Sequence, residues 1–71
     1  MKVIMIEDTI FVLDDIIKVS MKKSGSGKYN HILYFYYKGD TDFQHTNYLT
    51  ENYAKQTLQK IMEILEKPLD K

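Results

Sequence analysis

The chain has 71 residues, with ten basic side chains, all of them lysine, balanced by ten acidic ones, and it contains no cysteine. That length allows one domain, spanning residues 1–71. The missing cysteines exclude disulfides and thiolate metal sites. Zero net charge and the lack of arginine argue against a general nucleic-acid binder, which needs a basic stripe and gains most from bidentate arginine contacts.

The elements follow in chain order. Lys2 to Ile6 is a short apolar run and predicts a first strand, with Glu7-Asp8 as a turn. Thr9-Ile10-Phe11-Val12-Leu13 is rich in β-branched and aromatic residues and predicts a second. Asp14-Asp15 interrupts the pattern, because aspartate carboxylates bond nearby backbone N–H groups in turns. Ile16 to Met21 predicts a third strand, with Ile17, Val19 and Met21 on one face and Ile16, Lys18 and Ser20 on the other. The second and third runs are alternatively one long strand bent at the aspartates. Lys22 to Lys28, with Ser24-Gly25-Ser26-Gly27 at its centre, predicts a loose hairpin loop.

Tyr29 to Tyr37 is the fourth and longest strand. Leu33, Phe35 and Tyr37 face one way, and Ile32, Tyr34 and Tyr36 the other, so both faces are apolar or aromatic. Lys38-Gly39 predicts a two-residue hairpin turn, and Thr41 to Tyr48 the returning strand. Thr50 predicts the N-cap of a helix over about 51–66. Ala54, Leu58, Ile61, Met62 and Leu65 form one stripe at the helical period. Pro68 marks the stop, and residues 68–71 a frayed tail. The fold expected is α+β: an antiparallel meander of four or five strands with one C-terminal amphipathic helix on one face. That helix should bury Leu58, Ile61, Met62 and Leu65 against Ile10 or Phe11, Ile17, Val19 and one face of the fourth strand.

The segment Ile6-Glu7-Asp8-Thr9-Ile10-Phe11-Val12-Leu13-Asp14-Asp15-Ile16-Ile17-Lys18-Val19 resembles the opening of small uncharacterised bacterial and phage proteins. These carry a pattern like Ile-x-Asp-x-x-Ile-Asn-Leu-Asp-x-Ile, then a Gly-Asp hairpin turn, then a C-terminal helix. Gly39-Asp40 and the helix from Thr50 stand in the corresponding places, while Phe11-Val12 replaces the more usual Ile-Asn. The architecture is also similar to the later strands and terminal helix of bacterial pleckstrin-homology-like domains. The resemblance implies a fold and brings no catalytic residues, and fold alone carries no function.

Candidate chemistry is sparse. Ser24-Gly25-Ser26-Gly27-Lys28 suggests a phosphate loop, but Lys22 occupies the place of the first glycine and Tyr29 that of the magnesium-ligating hydroxyl, and a strand follows where a helix is required. A two-residue turn at Lys38-Gly39 sets His31 opposite Thr46 and Ile32 opposite His45, so the two imidazoles point to opposite faces and share no metal. Asp14-Asp15 and Asp40-Thr41-Asp42 read as solvated turn carboxylates rather than an acid–base pair. The expectation is no enzyme, no cofactor and no metal.

The tyrosines are the better lead. Tyr29, Tyr34, Tyr36, Tyr37 and Tyr48 cluster on the fourth and fifth strands and are the candidate interface. One helix covers one side of a sheet. A domain of this size buries only about 60% of its unfolded surface, so a second subunit is the remaining means of support. The function expected is a non-catalytic protein–protein interaction module, a homodimer or the partner of another protein, acting through a tyrosine-rich sheet face or edge. The alternative is a small single-stranded nucleic-acid-binding accessory protein that stacks bases on the tyrosines. No apolar run approaches the roughly 20 residues of a membrane span, and the start is too soon acidic for a signal peptide, so a soluble cytoplasmic protein is expected.

Overall fold

A computed structural model describes residues 1–39 and 43–66. The fold is α+β. Six strands precede one helix: β1 (Val3–Ile6), β2 (Thr9–Val12), β3 (Ile16–Lys23), β4 (Tyr29–Tyr37), β5 (Phe43–His45), β6 (Leu49–Thr50) and α1 (Glu51–Glu66). All pairing is antiparallel, in two sheets. β1 and β2 form a hairpin of their own, and β3, β4 and β5 form the main sheet, with β6 also pairing β4. The alternative of one bent strand through Asp14-Asp15 does not occur. Asp15 takes a left-handed φ of 65°, and the chain changes sheet there.

The core lies on the odd-numbered face of β4. Leu33 and Phe35 have no exposed surface, and His31 is nearly covered. Ile4, Ile6, Phe11 and Leu13 of the hairpin, Leu49, and Ala54 and Ile61 of α1 complete the buried cluster. The Phe11 and Phe35 rings stack with centroids 4.6 Å apart. The hairpin and the helix thus cover the same side of the main sheet. A two-stranded hairpin is marginal alone, and this one is held by specific bonds as well as by packing. The Tyr37 hydroxyl donates to the Val12 carbonyl at 2.7 Å, and the Tyr53 hydroxyl accepts from the Glu7 amide at 3.1 Å.

The helix begins as expected. Thr50 Oγ1 accepts the Tyr53 amide at 3.2 Å, which satisfies one of the donors a helix start leaves open. Its buried stripe is rotated from the expected one. Ala54, Thr57 and Ile61 are buried, with Leu58 and Ile64 partly so, whereas Met62 and Leu65 are 46% and 37% exposed. The hairpin lies on the Thr57 flank of α1, with a cavity lined by Ile4, Met5, Tyr53, Gln56, Thr57 and Lys60 between them and the bond from the Glu7 amide to the Tyr53 hydroxyl across it. Phe11, not Ile10, faces the core, and Ile10 is solvent-exposed.

β3 departs from simple alternation. Its register to β4 shifts between Ile16 and Lys18, pairing Ile16 with Tyr37 and Lys18 with Tyr36. A bulge of this kind leaves one residue without a partner. Ile16 turns to the core beside Val19 and Met21, and Ile17 is left 67% exposed. The expected grouping of Ile17 with Val19 and Met21 is therefore corrected. The return from β4 also differs. β5 begins at Phe43, and Tyr36 pairs Phe43 and Tyr34 pairs His45. This register lies two places on from the one a turn at Lys38-Gly39 would give; Asp40, Thr41 and Asp42 lie outside the described residues, as do Pro68 and the tail. The returning strand is also interrupted. At Thr46 the amide donates to the Leu33 carbonyl at 3.0 Å, while the Thr46 hydroxyl accepts the Leu33 amide at 3.1 Å and donates to the Asn47 carbonyl. A side chain replaces one rung of the ladder, and the strand resumes at Leu49.

Two predictions follow from these anchors. Thr50→Ala should cost about 1 kcal/mol in urea unfolding, and an unchanged midpoint would show that the cap is idle. Burial holds the Tyr37 hydroxyl above its ordinary value of 10.0. A folded pKa raised this way contributes stability in full below that value, and the contribution fades as pH climbs through the folded pKa. Tyr37→Phe should cost about 1 kcal/mol at neutral pH. The gap to the parent protein should close in alkali above that pKa.

Candidate functional site

The even-numbered face of β4 lies opposite the buried cluster of Leu33 and Phe35; Ile32 on it is itself buried, and the open part is the end that carries Tyr34 and Tyr36. Register assembles it across three strands. Lys18, Tyr36 and Phe43 form one row, and Ser20, Tyr34 and His45 the next, with Lys22 beside Ile32 following. Tyr34 and Tyr36 are half-buried, and Phe43 and His45 are exposed. The rings touch one another edge-on. Tyr34 lies 5.2 Å from Phe43 and 5.8 Å from His45, and Tyr36 lies 5.6 Å from Phe43, with planes tilted by 43° to 58°. Tilted pairs at these distances are favourable because ring edges are positive and ring faces negative.

Two lysines use the same electrostatics. The Lys18 ammonium sits 4.5 Å above the Tyr36 ring, and that of Lys22 5.2 Å above Tyr34. Both belong to β3, the last strand on that side, so their heads lie at the rim of the aromatic patch. His45 Nδ1 donates to the Thr46 carbonyl at 2.8 Å, which leaves Nε2 as its unbonded nitrogen. The described residues of this patch carry lysine and no carboxylate.

Of the five candidate tyrosines, the structure brings Tyr34 and Tyr36 together. Tyr37 lies on the core face, packed against the buried cluster with its hydroxyl on Val12. Tyr29 is exposed at the start of β4 with the Lys28 ammonium 5.8 Å over its ring, and Tyr48 is exposed in the link between β5 and β6. Phe43, His45, Lys18 and Lys22 complete the patch; of these, Phe43 and Lys18 were not singled out in the sequence. The alternation Phe43-x-His45 on the returning strand was the available signal, since a two-residue turn at Lys38-Gly39 or at Gly39-Asp40 puts both on the face of Tyr34 and Tyr36.

The histidines lie apart. His31 is buried on the core face with Nδ1 2.6 Å from Asn30 Oδ1, and His45 stands on the outer face. Among the described residues no group of three or more His, Cys, Asp or Glu side chains converges on a metal-sized site. Glu51 at the helix start is held below the ordinary carboxylate range by its bond to Lys55, at 3.0 Å, and by the same ammonium's charge. It is a surface ion pair one helical turn apart, which adds little stability.

A second apolar surface lies on the hairpin. Val3 pairs Val12 and Met5 pairs Ile10, and all four side chains are exposed on the side opposite Ile4, Ile6 and Phe11. Both runs are apolar at nearly every position, so each has two apolar faces already in the sequence.

Comparison with family models, with curated proteins and with solved structures finds no match. No helix among the described residues is long and apolar enough to cross a membrane.

The seat of Lys18 on Tyr36 is directly testable. A double-mutant cycle with Lys18→Ala and Tyr36→Leu, read by urea unfolding, should give a coupling of about 0.5–1 kcal/mol. A coupling of zero would mean that the ammonium stays in water.

Proposed function

We propose that this protein is a non-catalytic interaction module that associates with a second copy of itself through the outer face of its main sheet. One observation carries the reading. Tyr34, Tyr36, Phe43 and His45 form a continuous ring surface on the open part of the outer side of β4. Tyrosine and phenylalanine offer large area at low ordering cost and are enriched where proteins meet. The Lys18 and Lys22 ammoniums, which sit over the Tyr36 and Tyr34 rings, swing toward water at the sheet edge as the patch is buried, which their flexible stems allow. A non-catalytic role is supported by the scatter of ionisable groups. Asp14 and Asp15 are exposed in a turn, and the two histidines face opposite sides of the sheet.

A second reading has one observation in its favour. Ammonium groups beside exposed rings are what a single-stranded nucleic-acid platform needs. Two features weigh against it. The rings are mutually tilted, and the chain has no arginine and no net charge.

Light scattering over a concentration series separates these readings. The parent protein should approach twice the chain mass, and the Tyr34→Ser, Tyr36→Ser double variant should stay at the chain mass with its far-ultraviolet circular dichroism intact. If instead Met5→Lys with Ile10→Lys abolishes the dimer and the tyrosine variant does not, association runs through the hairpin. A parent monomer at every concentration that binds oligothymidylate, with affinity falling steeply with salt, would favour the nucleic-acid reading.

A further inference from the structure

The free side of β3 is a second surface, which shares Lys18 and Lys22 with the rim of the aromatic patch. Among the described residues β3 is the end strand of the main sheet, bonded to β4 alone, with no strand on its other side. The phase of its unused backbone groups follows from two bonds. The Ser24 amide donates to the Asn30 carbonyl directly opposite it, so the Ser24 and Asn30 pair is a hydrogen-bonded one. In an antiparallel ladder such pairs alternate. Lys22 opposite Ile32 and Ser20 opposite Tyr34 therefore bond across the ladder, and Val19 and Met21 do not. Leu33 gives the same phase independently, because its N–H and C=O both engage Thr46 on the far side of β4 and cannot serve Met21. The N–H and C=O groups of Val19 and Met21 point outward along the open edge.

Beside that edge runs an apolar groove of about 540 Å³ between β3 and α1. Its walls include Ile17, Val19, Leu58, Met62 and Leu65. The bulge at Ile17 and the rotation of α1 leave Ile17, Met62 and Leu65 exposed along this groove. The charge around it is mostly positive. Lys18 and Lys22 stand on the outer side of the edge and Lys23 at its end. Lys55, paired with Glu51, lies on the helix wall, and Glu66 is the one acidic lining residue.

We propose that this edge takes up an extended acidic segment of a partner protein as an added strand. Its backbone completes the bonds of Val19 and Met21. Its outward side chains meet Lys18 and Lys22, and its inward side chains are apolar and enter the groove against Ile17, Met62 and Leu65. Strand addition draws affinity from the main chain and specificity from alternate side-chain pockets. A second copy of this chain fits the edge poorly. Two-fold antiparallel pairing that keeps the faces matched joins residues of like parity, and every such register sets lysines 18 and 22 of the two copies directly or diagonally across from one another. Like charges so placed repel, and edge lysines are a known defence against self-pairing. The proposal does not depend on whether the outer faces associate.

The test uses the whole chain and a labelled peptide of about ten residues alternating glutamate and valine, long enough to span the edge. Fluorescence anisotropy should show it binding at least roughly tenfold tighter than a lysine–valine peptide of the same length, the advantage shrinking with salt. Amide exchange at Val19 and Met21 should be fast in the free protein and slow in the complex. Lys18→Glu with Lys22→Glu should reverse the preference, and Ile17→Ser, at an exposed position, should weaken both peptides without unfolding the protein. Equal affinity for the two peptides, no binding of the acidic one, or unchanged exchange at Val19 and Met21 overturns the proposal. So does slow exchange there in the free protein, which would mean the edge is already paired. Light scattering on the same samples reports self-association separately, so failure of either proposal leaves the other standing.

Discussion

The molecule is organised by the burial of Phe35 and Leu33 on one side of β4. Both side chains are fully enclosed, and Phe35 stacks directly on Phe11 of a hairpin that belongs to a different sheet. Full burial of a Phe or Leu side chain stabilises by about 1.5–3 kcal/mol, which is a large share for a domain of this size. The hairpin and the helix both crowd onto that side because a single strand presents a side chain there only at every second residue. Ile4, Ile6, Leu13, Leu49, Ala54 and Ile61 fill in around the two anchors.

Covering one side so thoroughly leaves the other to its own devices. The outer face is built from Tyr34, Tyr36, Phe43 and His45, whose rings shelter one another partly and gain further from lysine ammoniums laid over them. These residues tolerate water at their polar ends. The same economy shapes the edge. With both the hairpin and the helix seated over one face, Met62 and Leu65 lie outside the core and line a groove with Ile17. Both candidate surfaces are thus by-products of how the core is closed.

The parts legible from the sequence were those set by neighbours along the chain. The two faces of β4 follow from strict alternation, the helix start from the Thr50 hydroxyl, and the turns at Glu7-Asp8 and Asp14-Asp15 from local chemistry. The parts that were not legible all involve partners distant in sequence. Periodicity placed the helix stripe on Ala54, Leu58, Ile61, Met62 and Leu65; Ala54 and Ile61 are buried and Leu58 partly so, but Thr57, on the flank that faces the hairpin, is buried where Met62 and Leu65 are exposed. Ile17 was assigned inward by alternation, which a bulge against Tyr37 and Tyr36 cancels. The face of His45 followed from alternation, but its exact partner did not: a turn at Lys38-Gly39 sets it opposite Ile32, and the register found sets it opposite Tyr34, with Phe43 opposite Tyr36.

The order of hydrophobic and polar residues by itself determined that this is an α+β domain with one long two-faced strand and a capped C-terminal helix, since each of those follows from the period at which side chains repeat. Tertiary structure alone decided which tyrosines share a surface, which side of the helix is buried and which strand edge stays open. Those outcomes depend on register and on competition among elements for the same stretch of core, and neither is encoded within any one segment.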